Sequence, residues 1–171
     1  MNRKIEDAFN NQINAELHSA YIYYSMAAYF DSRNLKGFAG WMTVQAQEEI
    51  THAQKFYNFI NDRGGRVLMQ QIDAVDTEWE SPLAAFEAAY RHECYISDRI
   101  NKLVALAREE SDYAAENFLH WFVQEQVEEE ASADEKVQAL KMAGDSTGGL
   151  FMLDREAGSR TFAYPPPALA E

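Results

Sequence analysis

Glu16 stands 33 residues before Glu49, and Glu49 opens the quartet Glu49-Ile50-Thr51-His52. Glu93 stands the same 33 residues before Gln126, which opens Gln126-Val127-Glu128-Glu129. The second set is the first displaced by 77 positions, and Gln47-Glu48 is answered by Gln124-Glu125. Positions i and i+3 of a helix share a face, so each quartet offers two ligand-type side chains side by side. Two helical hairpins, each adding a lone carboxylate from its first helix, bring the whole set to one level of a four-helix bundle. The chemistry of that arrangement is a dinuclear metal site.

The elements that must position these residues are readable from helix signals. The chain predicts a first helix over about 3–29, ended by the polar turn Asp31-Ser32-Arg33-Asn34, and a second over about 36–62, stopped by Gly64-Gly65. Ser81-Pro82 reads as an N-cap with proline at the first helical position, opening a third helix to about 109. Ser111-Asp112 turns and caps a fourth helix reaching about 143, and a short fifth covers about 147–157. The residues after 160, with Pro165-Pro166-Pro167, read as a disordered tail. The link over 64–80 is long for a bundle. Its length has a geometric reason. A helix of about 28 residues is ~42 Å long, and an extended 17-residue link spans ~56–61 Å. The link can therefore cross the bundle and start the third helix at the far end.

Along the core-facing stripe of each helix, a carboxylate interrupts an otherwise mostly apolar seam near mid-helix. The first helix gives Ile5, Phe9, Gln12, Glu16, Ala20, Tyr23, Ala27 and Phe30; the second gives Phe38, Met42, Gln45, Glu49, His52, Phe56 and Phe59. The third gives Leu83, Phe86, Tyr90, Glu93, Ser97, Ile100 and Val104; the fourth gives Phe118, Phe122, Gln126, Glu129, Ala133, Val137 and Leu140. One such carboxylate alone reads as a snorkelling or hydrogen-bonded side chain. Four stranded together would each cost several kcal/mol and repel one another. Two divalent cations balance Glu16, Glu49, Glu93 and Glu129, with His52 as a neutral nitrogen ligand. Oxygen-rich ligation with one imidazole favours iron or manganese over structural zinc. Glu49, the only carboxylate of the four paired with a histidine on its own helix, is the expected bridge. Glu16, Glu49 and His52 are assigned to one ion, and Glu49, Glu93 and Glu129 to the other. Gln126 occupies the place where a symmetric site would carry glutamate, as a weak ligand or a hydrogen-bond donor.

Size and charge are consistent with this. A chain of 171 residues, 47% hydrophobic, can bury the core of one domain. Twenty-eight acidic against 15 basic residues give a net charge of -13, which suits cation attraction and argues against a nucleic-acid partner. No apolar run approaches a membrane span, and the N-terminus lacks a secretory pattern. Cys94 is the lone cysteine, which argues for a reducing, cytoplasmic setting.

Asn14-Ala15-Glu16-Leu17, Gln47-Glu48-Glu49-Ile50-Thr51-His52, Arg91-His92-Glu93 and Gln124-Glu125-Gln126-Val127-Glu128-Glu129 together resemble bacterial non-haem ferritin over residues 3–160. The resemblance implies an all-α, ferritin-like four-helix bundle over 1–160, with a long crossover between the second and third helices. It implies a ferroxidase that takes Fe(II) and dioxygen or hydrogen peroxide, and a homo-oligomeric shell, about twenty-four copies in that family, that stores ferric oxide. It also suggests a third iron position at Glu48, Glu125 and Glu128, which otherwise read as a solvated acidic face. Tyr23, two turns beyond Glu16, is expected to bond a ligand or supply an electron; as a core tyrosine it would look the same. Trp121 reads as packing.

Rival readings are discriminated by single residues. A bacterioferritin-like protein carries histidine where this chain has Glu129, and its haem-ligating methionine where this chain has Ile50, so haem is not expected. A rubrerythrin-like peroxidase adds a cysteine-bound iron centre that Cys94 alone cannot form. Mini-ferritins that coat DNA use basic tails, and this tail is not basic. A helical scaffold or a redox-silent iron buffer would consume no oxygen.

Overall fold

All four long helices end on a residue with positive φ, and in three of them the next N–H bonds back into the last turn. Asn34, Gly64 and Ser111 have φ of 58°, 68° and 53°. The following N–H groups of Leu35, Gly65 and Asp112 bond back to the carbonyls of Phe30, Ile60 and Ala107 at 3.0, 2.8 and 2.9 Å, satisfying carbonyls that the helix leaves open. In this computed structural model, which describes residues 1–162, the helices so closed are α1 (Arg3–Ser32), α2 (Lys36–Asp62) and α3 (Pro82–Glu109). They are followed by α4 (Tyr113–Ala143) and α5 (Thr147–Ala157). Among the described residues there is no strand, and no helix is long and apolar enough to cross a membrane. The tail expected over 161–171 lies outside the described residues except for Thr161 and Phe162.

Asn2, Ser81, Asp112 and Ser146 cap α1, α3, α4 and α5 with side-chain oxygens. Leu35 cannot cap α2. That role falls to α5, whose buried Asp154 accepts the Phe38 N–H at 2.9 Å. The approach is close enough to require glycine at position 37, where a Cβ would stand 1.5 Å from the Asp154 carbonyl oxygen. Gly37→Ala is therefore expected to unseat α5 and lower Tm by about 5–10 °C. A melting curve by circular dichroism that overlays the parent curve would refute this.

α1 packs on α2 and α3 on α4, the two hairpins meet through α1 and α3, and α5 lies against α2 and α4. The crossover runs alongside α1 in the same direction. Asn10 donates to Arg66 O at 3.0 Å, Asn14 to Gln71 O at 2.9 Å and Ser25 to Asp76 O at 2.6 Å. Trp79 then meets Tyr29 edge-on at 5.2 Å. The link thus delivers the chain to the opposite end of the bundle, as its length requires.

The apolar interior is in two pieces. One gathers Phe30, Phe38, Met42 and Phe86, and the other gathers Phe9, Phe56, Ile100 and Phe122. Between them lies a layer of buried polar side chains, Glu16, Glu49, His52, Glu93, Gln126 and Glu129. Because each of the four long helices contributes to both apolar clusters, the polar layer is held at mid-bundle. The third helix is rotated relative to the sequence reading. It buries Ala89, Ile96 and Leu103 in place of Tyr90, Ser97 and Val104, while Glu93 stays at the centre of either stripe.

Candidate metal centre

Glu16 on α1 and Glu49 and His52 on α2 form one cluster, with a ligand atom from each lying within 4.8 Å of the others. Glu16 is fully buried and Glu49 is 1% exposed. One carboxylate oxygen on each, Oε2, has no hydrogen-bond partner. His52 sits between carboxylates, its Nδ1 3.6 Å from Glu49 Oε2 and its Nε2 3.9 Å from Glu125 Oε1. His52, Glu125 and Glu129 form a second cluster of the same tightness.

Glu93 and Glu129, on α3 and α4, complete the layer, and their oxygens are engaged by neutral donors. Tyr23 donates its hydroxyl proton to Glu93 Oε1. Gln126 donates to Glu93 Oε2 at 3.2 Å, and its Nε2 also lies 3.3 Å from the Glu93 carbonyl. Gln45 donates to Glu129 Oε2. Of the positions flanking the layer, Glu48 is half-buried and paired with Arg160, and Glu125 approaches His52. Glu128 is exposed and belongs to neither cluster. Trp121 packs edge-on against His52 at 5.5 Å and against Phe122 at 4.9 Å.

Electrostatics mark the layer as short of positive charge. Burial and then the Glu129 charge raise Glu93 to about 8. Burial, followed by the Glu93 charge, holds Glu49 well above the ordinary carboxylate range. Burial also raises Glu129 and takes Glu48 to about 7. Burial opposes a charge on His52, yet the surrounding carboxylates raise it well above its ordinary value. Burial and Glu93 together push the Tyr23 phenol upward, so it stays a proton donor. Every carboxyl shift opposes the anionic form that a metal ligand must adopt, and cations of charge two would reverse each of them. The donor set of oxygens and one imidazole, with two oxygens free of hydrogen bonds, fits hard or borderline divalent ions such as iron.

Two features of the site were not anticipated from the sequence. Arg99 donates to Gln12 Oε1 at 2.9 Å, and Gln12 Nε2 donates to Glu16 Oε1 at 2.9 Å. Arg160 donates to Gln45 Oε1 at 2.6 Å, and Gln45 turns its Nε2 to Glu129. In both, a guanidinium claims the amide oxygen and so aims the amide nitrogen at a buried glutamate. The two glutamines are visible on the helix stripes. Their arginines lie on other elements, and no local pattern points to them.

A family model described as a ferritin-like domain matches residues 6–143. The chain is 42% identical over 160 residues to a bacterial non-heme ferritin of Bacteroides fragilis, covering 94% of this chain and 99% of that protein. It is 38% identical over 162 residues to a bacterial non-heme ferritin of Staphylococcus aureus, covering 95% and 98%. Among solved structures, an engineered closed form of the Archaeoglobus fulgidus ferritin superposes with TM-score 0.94 at 50% identity, covering 95% of this chain and 99% of that one. An open pore ferritin from the same archaeon gives TM-score 0.93 at 50% identity, covering 94% and 99%.

Proposed function

The chain belongs to the ferritin family, and from that premise we propose that it stores iron, oxidising Fe(II) at the buried carboxylate layer and retaining the ferric product as a mineral. The observation that carries this reading is the pair of buried oxygens without a hydrogen bond on Glu16 and Glu49 beside His52. A carboxylate left so is costly in a protein interior and becomes favourable when a divalent cation takes the place of the missing donor.

In this reading Glu16, Glu49 and His52 hold one Fe(II), and Glu49, Glu93 and Glu129 hold the second, with Glu49 shared between ions ~3.5–4 Å apart. Each ion loses one electron. The two electrons, with two protons, convert dioxygen to hydrogen peroxide, or hydrogen peroxide to two waters. The carboxylates stabilise the added positive charge on the ferric ions, and the apolar clusters on either side keep bulk water from the pair. Gln126 supports Glu93 with a neutral donor where a fifth carboxylate would bind the product more tightly. Glu48, Glu125 and Glu128 are proposed as a third, weaker iron position that loads after the pair.

Tyr23, fully buried and bonded to Glu93, orients that ligand and stands within reach as a one-electron donor. Tyr23→Phe keeps the ring and removes the proton donor. It is expected to slow ferric formation about tenfold or more with Tm changed by no more than a few degrees, as stopped-flow absorbance would report. Unchanged kinetics would leave Tyr23 as packing alone.

Assembly into a shell of about twenty-four copies is part of the proposal, as is a cytoplasmic setting. It is supported by α5 side chains that a single chain leaves in water, Phe151 at 60% and Met152 at 72% exposed. Aerobic addition of Fe(II) tests the chemistry, with oxygen consumption and ferric absorbance expected in proportion to protein. An iron buffer would consume no oxygen. Sizing in solution tests the shell, and a peak at 19.5 kDa would defeat it.

A further inference from the structure

Arg160 belongs to no helix and no motif, yet it reaches the edge of the metal layer from the segment that follows α5. Its Nη2 donates to Glu48 Oε2 and its Nη1 donates to Gln45 Oε1 at 2.6 Å. The guanidinium lies over the Trp41 ring, 4.6 Å from its centroid. Two fork-directed bonds and a stacked face fix the plane of the group. Its anchorage is equally definite. Asp154 ties α5 to the first turn of α2, and Gly158 packs on Gly37 at the same crossing, two residues before Arg160.

The environment around this guanidinium is acidic and partly dry. Glu48 is half-buried, and Glu125 and Glu129 join His52 in the adjacent cluster. A divalent cation entering beside Glu48 would have to share its carboxylate, whose Oε2 Arg160 now holds, with a fixed positive charge. An arginine cannot give up its proton at any pH a protein survives, so this competitor is permanent and leaves only by moving.

Resting on the reading of the buried layer as a paired iron site, we infer that Arg160 is a built-in competitor for the third cation: the guanidinium neutralises Glu48 until a divalent ion displaces it, and so keeps the third position weaker than the pair. The inference concerns the order of loading. The first two ions meet carboxylates held by neutral donors or by an imidazole that can release its proton, while the third meets one paired with a cation that cannot. Charge-assisted pairing of this kind is among the stronger side-chain interactions, and its loss is expected to show in the third ion's affinity by about tenfold or more.

The test is a calorimetric titration of the full assembled protein with Zn(II), which binds without redox chemistry. Arg160→Met keeps an apolar chain on Trp41 and deletes the charge; Arg160→Lys keeps the charge and loses the fork. The parent protein is expected to bind two Zn(II) per chain tightly and a third weakly. In R160M the third ion tightens about tenfold or more, while the pair, whose Glu129 loses the orienting contact that Arg160 makes through Gln45, does not tighten; in R160K the third ion stays within about threefold of the parent. Equal third-ion affinity in R160M and the parent overturns the inference and leaves the paired site standing. A parent protein that binds fewer than two ions overturns the paired site itself, and this inference with it. Should R160M fail to fold, crystals of the parent protein soaked in Zn(II) decide instead. A third ion on Glu48 with Arg160 displaced sustains the inference, and one bound while Arg160 keeps its contact with Glu48 overturns it.

Discussion

Glu49→Gln protein is expected to bind no tight pair of divalent ions and to oxidise Fe(II) about a hundredfold more slowly or worse, while remaining folded. The reason is the position of this one side chain. Glu49 is 1% exposed, has an oxygen without a hydrogen bond, and is raised by its neighbour Glu93 as well as by burial. It is thus the carboxylate that couples the Glu16–His52 cluster to Glu93. Glutamine has the same shape but presents N–H groups where an ion needs a lone pair, and it removes one of the four negative charges proposed to balance two dications. A two-metal reaction that loses its shared ligand loses both the second ion and the electrostatic stabilisation of the ferric product. The fold has no need of the charge, since deleting it relieves repulsion among buried anions. Zn(II) calorimetry and stopped-flow ferric absorbance read the two expectations separately. A variant that still binds two ions and oxidises within threefold of the parent rate removes Glu49 from the role given to it.

How much of this was legible beforehand can be judged helix by helix. The bounds of α2, α3 and α5 follow from glycine, proline and cap residues, whose backbone demands are local. α1 runs three residues further than its polar stop suggested, because Asn34, not Asp31, supplies the positive φ that ends it. The polar run looked like a turn; the turn needed one residue tolerant of a left-handed conformation. The phase of α3 was ambiguous for a different reason. Steps of three and four starting from Glu93 reach either Ser97 or Ile96, and packing of α3 against both α1 and α4 chooses Ile96. The glutamates, His52 and Gln126 were legible because a repeat of 33 and a shift of 77 cannot arise from amphipathicity alone. Arg99 and Arg160 were not. Each acts through a glutamine on another element, and only the assembled bundle brings the pairs together.

The apoprotein is expected to lose stability as pH rises from about 6.5 to 8, and the metal-loaded protein to gain it. Burial and Glu129 raise Glu93 to about 8, so this carboxyl is protonated in the folded chain over a range where the unfolded chain has released its proton. Glu49 and Glu129 are displaced in the same direction, and His52 is raised as well. A raised folded value means that the folded state binds more protons than the unfolded one. The stability so gained is full below the unfolded value and is lost as pH climbs through the folded value, at up to about 1.4 kcal/mol per pH unit for each group. For Glu93 that window runs from 4.5 to about 8. His92 has the opposite sign. Burial lowers it from 6.5 to about 4, so its contribution grows with pH but is complete near 6.5. The lowered carboxyl Asp112 acts below its ordinary value of 3.8. Between 6.5 and 8 the buried layer is therefore left as the dominant titrating unit, and Tm of chelator-treated protein should fall by about 5 °C or more. Divalent ions invert this, because they take the places of those protons and bind more tightly as the carboxyls ionise. Zn(II)-loaded protein should melt at higher temperature at pH 8 than at 6.5. Scanning calorimetry of the two forms at both pH values is sufficient, and an apoprotein whose Tm holds steady or rises across that interval would mean that these carboxyls do not share a buried layer.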